Sequence, residues 1–146
     1  GTNYAKVEDY GVAFSYIPQN SDFTLINIFI ATDVLEDTGY NKSKKKPDVN
    51  EIFGYETENI PALPDSTNYY TSIYDANNAY FGFEDDAKHS RRSAYELAWI
   101  DAGYEDYGGA YYKEFADGHI ALYYEREIVF NPIDCKYYSL IGFYTE

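Results

Sequence analysis

Short runs in which apolar and polar residues alternate recur along the chain, and they restrict it to a fold built mainly of β-strands. One such run is HIALYYEREIVF (119–130), which has Ile120, Leu122, Tyr124, Ile128 and Phe130 on one face, and Arg126 interrupts that face. AYYKEFA (110–116) precedes it, and Asp117-Gly118 lies between the two runs. An Asp-Gly pair in this position is typical of a two-residue type I′ hairpin turn. The pattern predicts that Ala110–Ala116 pairs antiparallel with His119–Ile128.

Other segments have the same character and predict further strands. These segments are GVAFSYI (11–17), TNYYTSIYDA (67–76), AYFGFE (79–84) and YYSLIGFYT (137–145). FTLINIFIAT (23–32) is apolar on both faces and rich in β-branched residues, which predicts a central strand covered on both sides. The polar segment from Asp33 to Asp48 contains KSKKK (42–46) and predicts a long, solvated loop.

One segment favours a helix. Ser93 and Glu96 have the spacing of a capping box, in which each side chain bonds the backbone N–H of the other residue. The run SAYELAWIDA then continues with good helix formers and ends at Gly103. Trp99 lies on the apolar side of this helix, and we expect it to be a core residue.

These elements together predict an α+β fold. We expect a mainly antiparallel, curved β-sheet with one main helix (about 93–103) packed on it, and a β-sandwich is the alternative. The length of 146 residues fits a single globular domain over 1–146.

The charge of the chain favours some partners over others. Asp and Glu number 25 against 11 Lys and Arg, which gives a formal net charge of −14. Such a charge repels phosphate backbones and anionic lipid, so direct binding to nucleic acid or to a membrane surface is disfavoured. A basic protein partner suits it, although solubility alone is an equally good reason for the charge.

The location of the protein follows less directly from the residues. Cys135 is the only cysteine, so no internal disulfide can form, and this favours a reducing, cytoplasmic compartment. The first residues, GTNYAKVEDY, lack the basic start and apolar stretch of a signal peptide. Secretion stays open if a signal has been removed.

No sequence motif indicates a reaction. EDDAKH (84–89) groups carboxylates with His89 but lacks the alternating acids and the glycine of an EF-hand loop. The chain contains no GxSxG motif, and its glycines lack the spacing of a phosphate-binding loop. We therefore expect no catalytic residues, no metal site and no cofactor, and a protein that is not an enzyme.

What stands out is the combination of acids and aromatic residues in a chain with 19 Tyr. Tyrosine is frequent in binding surfaces because it brings a large rigid area with a polar tip. The function predicted first is a small acidic inhibitor or immunity-type protein that occludes a basic, nuclease-like or nucleic-acid-binding partner. The alternative is an extracellular carbohydrate-binding or adhesion module, in which the same rings stack on sugars. The candidate binding residues are Tyr104, Glu105, Asp106, Tyr107, Tyr111, Glu84, Asp85 and Asp86.

Overall fold

The computed structural model describes residues 2–7, 10–54 and 60–146, and all ten strands in them belong to two antiparallel sheets. The elements are β1 (Thr2–Val7), β2 (Tyr10–Pro18), β3 (Thr24–Ile30), α1 (Val34–Asp37), β4 (Asn41–Ser43), α2 (Val49–Phe53), β5 (Tyr69–Ile73), β6 (Asn78–Asp85), α3 (Ser90–Asp101), β7 (Glu105–Asp106), β8 (Ala110–Glu114), β9 (Ile120–Asn131) and β10 (Lys136–Thr145). A three-stranded sheet has the order β1-β2-β3, and a seven-stranded sheet has the order β4-β5-β6-β10-β9-β8-β7. The predicted mainly antiparallel β character is confirmed. No helix in the described ranges is long and apolar enough to cross a bilayer.

The main core lies on one side of the seven-stranded sheet, called the inner side below. Trp99 of α3 is 0% exposed, as its predicted core role requires. Its ring stacks on Tyr123 of β9 at 4.8 Å and lies 5.1 Å from Phe143 of β10. Tyr95, one turn earlier in α3, makes edge contacts with Phe83 and Tyr123. Large aromatic side chains thus supply most of the buried area here.

On the opposite, outer side of the same sheet, the described residues form one buried cluster, at one end. Leu35 of α1 and Tyr40 pack there against Tyr70, Tyr138 and Leu140. Strand residues beyond this cluster have no helix over them among the described residues, and several of them are tyrosines that stay partly exposed.

Asp33 connects the segment after β3 to the seven-stranded sheet. Its carboxylate accepts hydrogen bonds from the hydroxyl of Tyr70 at 2.6 Å and from the side-chain amide of Asn131 at 3.0 Å. The same carboxylate caps α1 by accepting from the backbone N–H groups of Leu35 and Glu36. A buried charge with this many donors is well satisfied, so the network fixes where α1 sits on the sheet.

The predicted hairpin forms, with a different turn. β8 pairs antiparallel with β9, and Glu114 lies opposite Ile120. Phe115 and His119 close the loop through a backbone bond of 2.7 Å, so Ala116, Asp117 and Gly118 form a three-residue loop. Gly118 alone of these three has a positive φ, at 88°. A type I′ turn requires positive φ at both central residues, whereas a three-residue loop needs one left-handed residue at its end.

The helix in this region begins earlier than the capping box indicated. It spans Ser90–Asp101, and its N-cap is His89, with a φ of 50°. The side chain of Ser93 contacts the His89 ring at 3.2 Å. The carboxylates of Asp85 and Asp86 accept instead from the first backbone N–H groups of the helix, as described below. Acids that precede the helix thus replace the expected Ser93–Glu96 box.

Two loop and strand predictions are also wrong. The strand from the FTLINIFIAT run, β3, is an edge strand of the three-stranded sheet rather than a covered central strand. Its Ile28 is 72% exposed and its Ile30 is 68% exposed. The segment from Asp33 to Asp48 is no simple loop, since it contains α1 and β4, and β4 pairs with β5. The pattern of apolar residues predicts a strand, but it does not show which other elements pack against that strand.

Candidate functional site

Tyr104 is one of the residues that were predicted to project after the helix, and this prediction is wrong for it. It is 3% exposed, and its ring lies 4.3 Å from that of Trp99. Gly103 has a φ of 91°, and the N–H of Tyr104 then bonds the Trp99 carbonyl at 3.1 Å. This left-handed turn directs the chain back over the end of α3. Tyr104 is therefore a core residue and not part of an exposed surface.

The next residues are exposed at the edge of the seven-stranded sheet. Glu105 and Asp106 form β7, where they lie opposite Tyr112 and Tyr111 of β8. Tyr107 is 63% exposed and donates its hydroxyl to Glu105 at 2.9 Å. The Tyr107 ring meets that of Tyr112 edge-on at 6.1 Å. Glu105 and Tyr107 therefore lie next to a strand tyrosine that was not among the predicted residues.

Tyr111 and Tyr112 point to opposite faces of the sheet, as neighbours in a strand must. Tyr111 is 7% exposed and belongs to the inner core, which confirms that one of the two is a core residue. Its hydroxyl points to Glu96 of α3 at 3.4 Å. Tyr112 is half-buried on the outer side.

The second predicted acidic group, Glu84 to Asp86, lies elsewhere and has structural partners. Asp85 accepts from the N–H groups of Arg91 and Arg92 at 2.9 Å each. Asp86 accepts from the N–H of Ser90 at 3.1 Å. Two acids at a helix N-terminus satisfy its free N–H groups and complement its dipole. The carboxylate of Glu84 pairs with Lys136 at 2.8 Å.

The structure does not bring the two predicted groups together. Asp85 ends β6, whereas Glu105 begins β7, and β10, β9 and β8 lie between these strands. Four strand spacings correspond to about 19 Å. One partner surface around Glu105 would therefore not include Glu84, Asp85 and Asp86 unless the partner is large.

A surface that the sequence did not single out lies beside Tyr107. Cross-strand pairing places Tyr112, Leu122 and Tyr144 in one row of the outer side, and Tyr124, Gly142 and Tyr80 in the next row. All four of these tyrosines are of intermediate exposure. We call Tyr80, Tyr107, Tyr112, Tyr124 and Tyr144 the outer tyrosine face. The segments AYFGFE, HIALYYE and LIGFYTE contain three of these tyrosines, at positions that alternate along their strands. Only the pairing of the strands shows that these positions lie side by side.

The centre of this face depends on a glycine. A Cβ atom at Gly142 would lie 2.5 Å from Cε2 of Tyr124, so only a residue without a side chain leaves room for that ring. Burial and, second, a hydrogen bond with Tyr80 together raise the pKa of Tyr124 to about 12. The hydroxyl of Tyr124 therefore stays protonated at neutral pH and is available as a donor or acceptor.

One cation and two carboxylates border the face. The guanidinium of Arg126 lies 4.4 Å from the centre of the Tyr80 ring, within the range of a cation–π contact. Tyr144 donates to Glu146 at 2.8 Å, as Tyr107 does to Glu105. The hydrogen bond to Glu105 raises the pKa of Tyr107, and that to Glu146 raises the pKa of Tyr144. The exposed rim is thus acidic and its tyrosines are neutral.

A small cavity adjoins the face on the side of α1. Its volume is about 260 Å³, and Tyr40, Arg126, Glu127 and Leu140 are among the residues that line it. The guanidinium of Arg126 reaches the hydroxyl of Tyr40 at 3.3 Å across its mouth. Polar groups and an aromatic ring therefore meet beside the open part of the sheet.

A second group of titratable residues lies between α3 and the inner side of the sheet. Arg92 is 8% exposed, and its Nε lies 3.6 Å from Glu96 and 3.2 Å from Glu125. Burial and the neighbouring Glu125 raise the pKa of Glu96 to about 7, although the charge of Arg92 opposes them. The hydroxyl of Tyr123 also points to Glu96 at 3.4 Å. Perturbed carboxyl pairs occur in active sites and in structural networks alike.

Chemically, these arrangements can bind but offer few reactive groups. Within residues 2–7, 10–54 and 60–146, no three His, Cys, Asp or Glu side chains are grouped closely enough to hold a metal ion. Neutral tyrosine hydroxyls, rim carboxylates and one stacked guanidinium can form hydrogen bonds and ion pairs with a ligand. Comparison with protein-family models, curated proteins and solved structures finds no match to this chain.

Proposed function

We propose that this protein is a small acidic binding protein that occludes a basic partner, such as a nuclease or another nucleic-acid-binding protein. The contact surface in this proposal is the outer tyrosine face with its rim acids Glu105 and Glu146. The observation that carries it is the position of half-exposed tyrosines in adjacent strands, with a carboxylate beside each of the two at the rim.

The physical chemistry of such a face suits this role. Tyrosine rings held in a sheet lose little conformational entropy on binding and cover a large area. The net charge of −14 attracts a basic partner over a distance, and the rim acids then meet its lysines and arginines. Arg126, the cation beside this face, is held against the ring of Tyr80 by a cation–π contact.

Packing on the inner side of the sheet bears on how rigid the outer tyrosine face is. We infer that α3 is the main helix of the fold and supports the sheet behind the tyrosines. Trp99 of this helix packs on Tyr123, the inward-pointing neighbour of Tyr124. A face supported in this way would need little rearrangement on binding.

Association kinetics at low and high salt test the proposal. The probes are immobilised basic proteins: a basic ribonuclease, a basic deoxyribonuclease and a DNA-binding protein rich in lysine. We expect fast association that slows steeply with salt, and we expect the double variant Glu105→Lys/Glu146→Lys to slow it about tenfold or more.

A control variant separates the face from the charge of the whole protein. Glu51→Lys/Asp101→Lys changes the net charge by the same amount at two exposed positions on α2 and α3. We expect this control to slow association much less. Equal effects of the two double variants, salt-insensitive binding, or no binding to any of the basic proteins would contradict the proposal.

The same face favours a second candidate, a carbohydrate-binding module. Rows of tyrosines on an antiparallel sheet can stack on sugar rings, and the nearby carboxylates and Asn78 can bond hydroxyls. Affinity electrophoresis in gels that contain soluble polysaccharides tests this function. We expect retardation that salt does not change and that Tyr112→Ala or Tyr144→Ala abolishes, whereas Glu105→Lys has little effect.

A further inference from the structure

The edge strand β3 is unusually apolar for a strand that lies open. Ile26, Ile28 and Ile30 point to one face and are 59%, 72% and 68% exposed. Leu25, on the other face, is 49% exposed. Within the described residues β3 pairs with β2 alone, so its second edge has no strand beside it. Natural edges are usually protected by lysine, proline or a bulge, and Thr24–Ile30 has none of these.

The open edge has a defined set of free backbone groups. Gln19 bonds the Phe23 carbonyl at 2.9 Å, and Ala31 bonds the Gly11 carbonyl at 2.7 Å, so odd-numbered residues form the hydrogen-bonded pairs with β2. Bonded and non-bonded pairs alternate along an antiparallel ladder. The N–H and C=O groups of Thr24, Ile26, Ile28 and Ile30 therefore point away from β2, towards the open edge.

Charge also distinguishes this region from the rest of the protein. Asp22 is the only charged residue from Tyr10 to Thr32, although the whole chain carries a net charge of −14. A basic partner could form no ion pair with β3 itself, because Thr24–Ile30 contains no acidic residue. A surface that is apolar and uncharged within an acidic protein fits a partner surface of the same kind.

We propose that a second copy of this chain covers β3 by antiparallel strand pairing around a two-fold axis at Asn27. In this register Ile26 lies opposite Ile28 of the second copy, and Thr24 lies opposite Ile30. All four residues with free backbone groups then pair, which gives roughly eight backbone hydrogen bonds. The apolar row of one copy continues into that of the other. The result is one continuous six-stranded sheet in a dimer with two-fold symmetry.

The sequence of β3 supports this occupant over others. TLINIFI has isoleucine on each side of its central Asn27, so the strand is complementary to itself when it is reversed. β-Branched residues such as isoleucine are favoured in strands because they pack well against neighbours on the pleated surface. Since no charge lies on the strand, the repulsion between the copies comes from the acidic bodies, and salt screens it. The dimer should thus tighten with salt, whereas the proposed binding of a basic protein weakens with salt.

Sedimentation equilibrium of the protein at low and high salt tests whether the dimer forms. Variants with a charged residue at Asn27 test the register of the strand pairing. Asn27 is exposed, so its substitution leaves the fold intact, which circular dichroism verifies. In the variants Asn27→Asp and Asn27→Lys, two like charges face each other across the axis. We expect each variant alone to dimerise at least about tenfold more weakly than the parent. An equal mixture of the two should form a heterodimer.

Ile28→Lys on the open edge provides the second variant, and Leu97→Lys on α3, which is 62% exposed, is the matched control. We expect Ile28→Lys to be monomeric and Leu97→Lys to dimerise as the parent does. A parent that stays monomeric up to about 1 mM at high salt would overturn the proposal. So would open-ended polymers, a dimer that Ile28→Lys leaves intact, or binding of the parent to lipid vesicles with no dimer in solution. None of these results depends on whether a basic protein binds the outer tyrosine face.

Discussion

The ring of Tyr124 lies over the backbone of Gly142, so that a single methyl group at Gly142 would lie 2.5 Å from Cε2 of Tyr124. The two residues are cross-strand neighbours, and Gly142 also lies opposite Tyr80 on its other side. The absence of a side chain at Gly142 lets the Tyr124 ring lie down between the strands. This pair therefore determines where the ring at the centre of the outer tyrosine face lies.

We predict that Gly142→Ala displaces the Tyr124 ring and lowers the free energy of unfolding by about 1–3 kcal/mol, as overpacking generally does. Urea denaturation measures this loss. In a Tyr124→Ala background the methyl group meets no ring, and the cost of Gly142→Ala should fall below about 1 kcal/mol. The same loss in both backgrounds would show that the contact is not its cause.

The features that the sequence predicted correctly depend on interactions between residues that are close along the chain. The hairpin of β8 and β9 follows from Asp117-Gly118 and two alternating runs, and it forms as expected apart from the length of its loop. The core position of Trp99 follows from the apolar side of its helix in the same way. Both features depend on residues that are close to one another along the chain.

The features that the sequence did not predict depend on distant residues. Tyr104 is an exception, because Gly103 and Trp99 are close to it along the chain, and the expected helix end at Gly103 did not reveal that Tyr104 packs back on Trp99. The exposure of β3 depends on which elements lie beside it and not on its own apolar pattern. The outer tyrosine face is assembled from β6, β8, β9 and β10, and only the register between them brings its rings together.

The buried network around Asp33 leads to a second prediction. Tyr70→Phe removes a hydroxyl that donates to Asp33 at 2.6 Å and accepts from Asn131 at 3.1 Å. We expect a loss of about 1–3 kcal/mol in the free energy of unfolding, because two buried polar groups lose a partner. Tyr74→Phe, at a tyrosine that is 75% exposed, should change it by less than about 0.5 kcal/mol.

The same network has a defined dependence on acid. Burial raises the pKa of Asp33, but hydrogen bonds from Tyr70, Glu36 and Asn131 and the charge of Lys42 outweigh it and hold the pKa below its usual range. A lowered folded pKa contributes stability that is present above the unfolded pKa of about 3.9 and is lost as the pH falls through the folded pKa. The cost of Tyr70→Phe should therefore be constant above about pH 5 and change only in more acid solution. A cost that varies between pH 6 and pH 8 would contradict this assignment.

The lysine-rich segment 42–46 should divide into one structural lysine and three that contribute little. Lys42 lies 3.3 Å from Asp33 and 5.9 Å from the centre of the Tyr70 ring. Lys44 and Lys45 are exposed, and Lys46 pairs with Asp65, which is 94% exposed. We expect the triple change of Lys44, Lys45 and Lys46 to Ser to leave the free energy of unfolding within about 0.5 kcal/mol. Lys42→Ser alone should cost about 1 kcal/mol in the same denaturant titration, and an equal or larger cost for the triple variant would contradict the division.

The last prediction concerns the carboxyl pair beneath α3. Arg92 of α3, Tyr111 of β8 and Tyr123 and Glu125 of β9 face Glu96, whose pKa is raised to about 7 by burial and by Glu125. A raised folded pKa means that the folded protein holds this proton more tightly than the unfolded chain does. The stabilisation is therefore complete below the unfolded pKa of about 4.3 and is lost as the pH rises through about 7.

We expect Glu96→Gln, which keeps the shape and cannot ionise, to remove this loss of stability between pH 5 and pH 8. Each unit of pKa shift corresponds to about 1.4 kcal/mol, and partial solvent access reduces the expected gain of the variant at pH 8 to about 1–2 kcal/mol. Urea denaturation at a series of pH values measures both curves, with Glu114→Gln at an exposed position as the control. The control should follow the parent at every pH. If Glu96→Gln also follows the parent, the proton that matters in this range is not on Glu96, and the assignment is wrong.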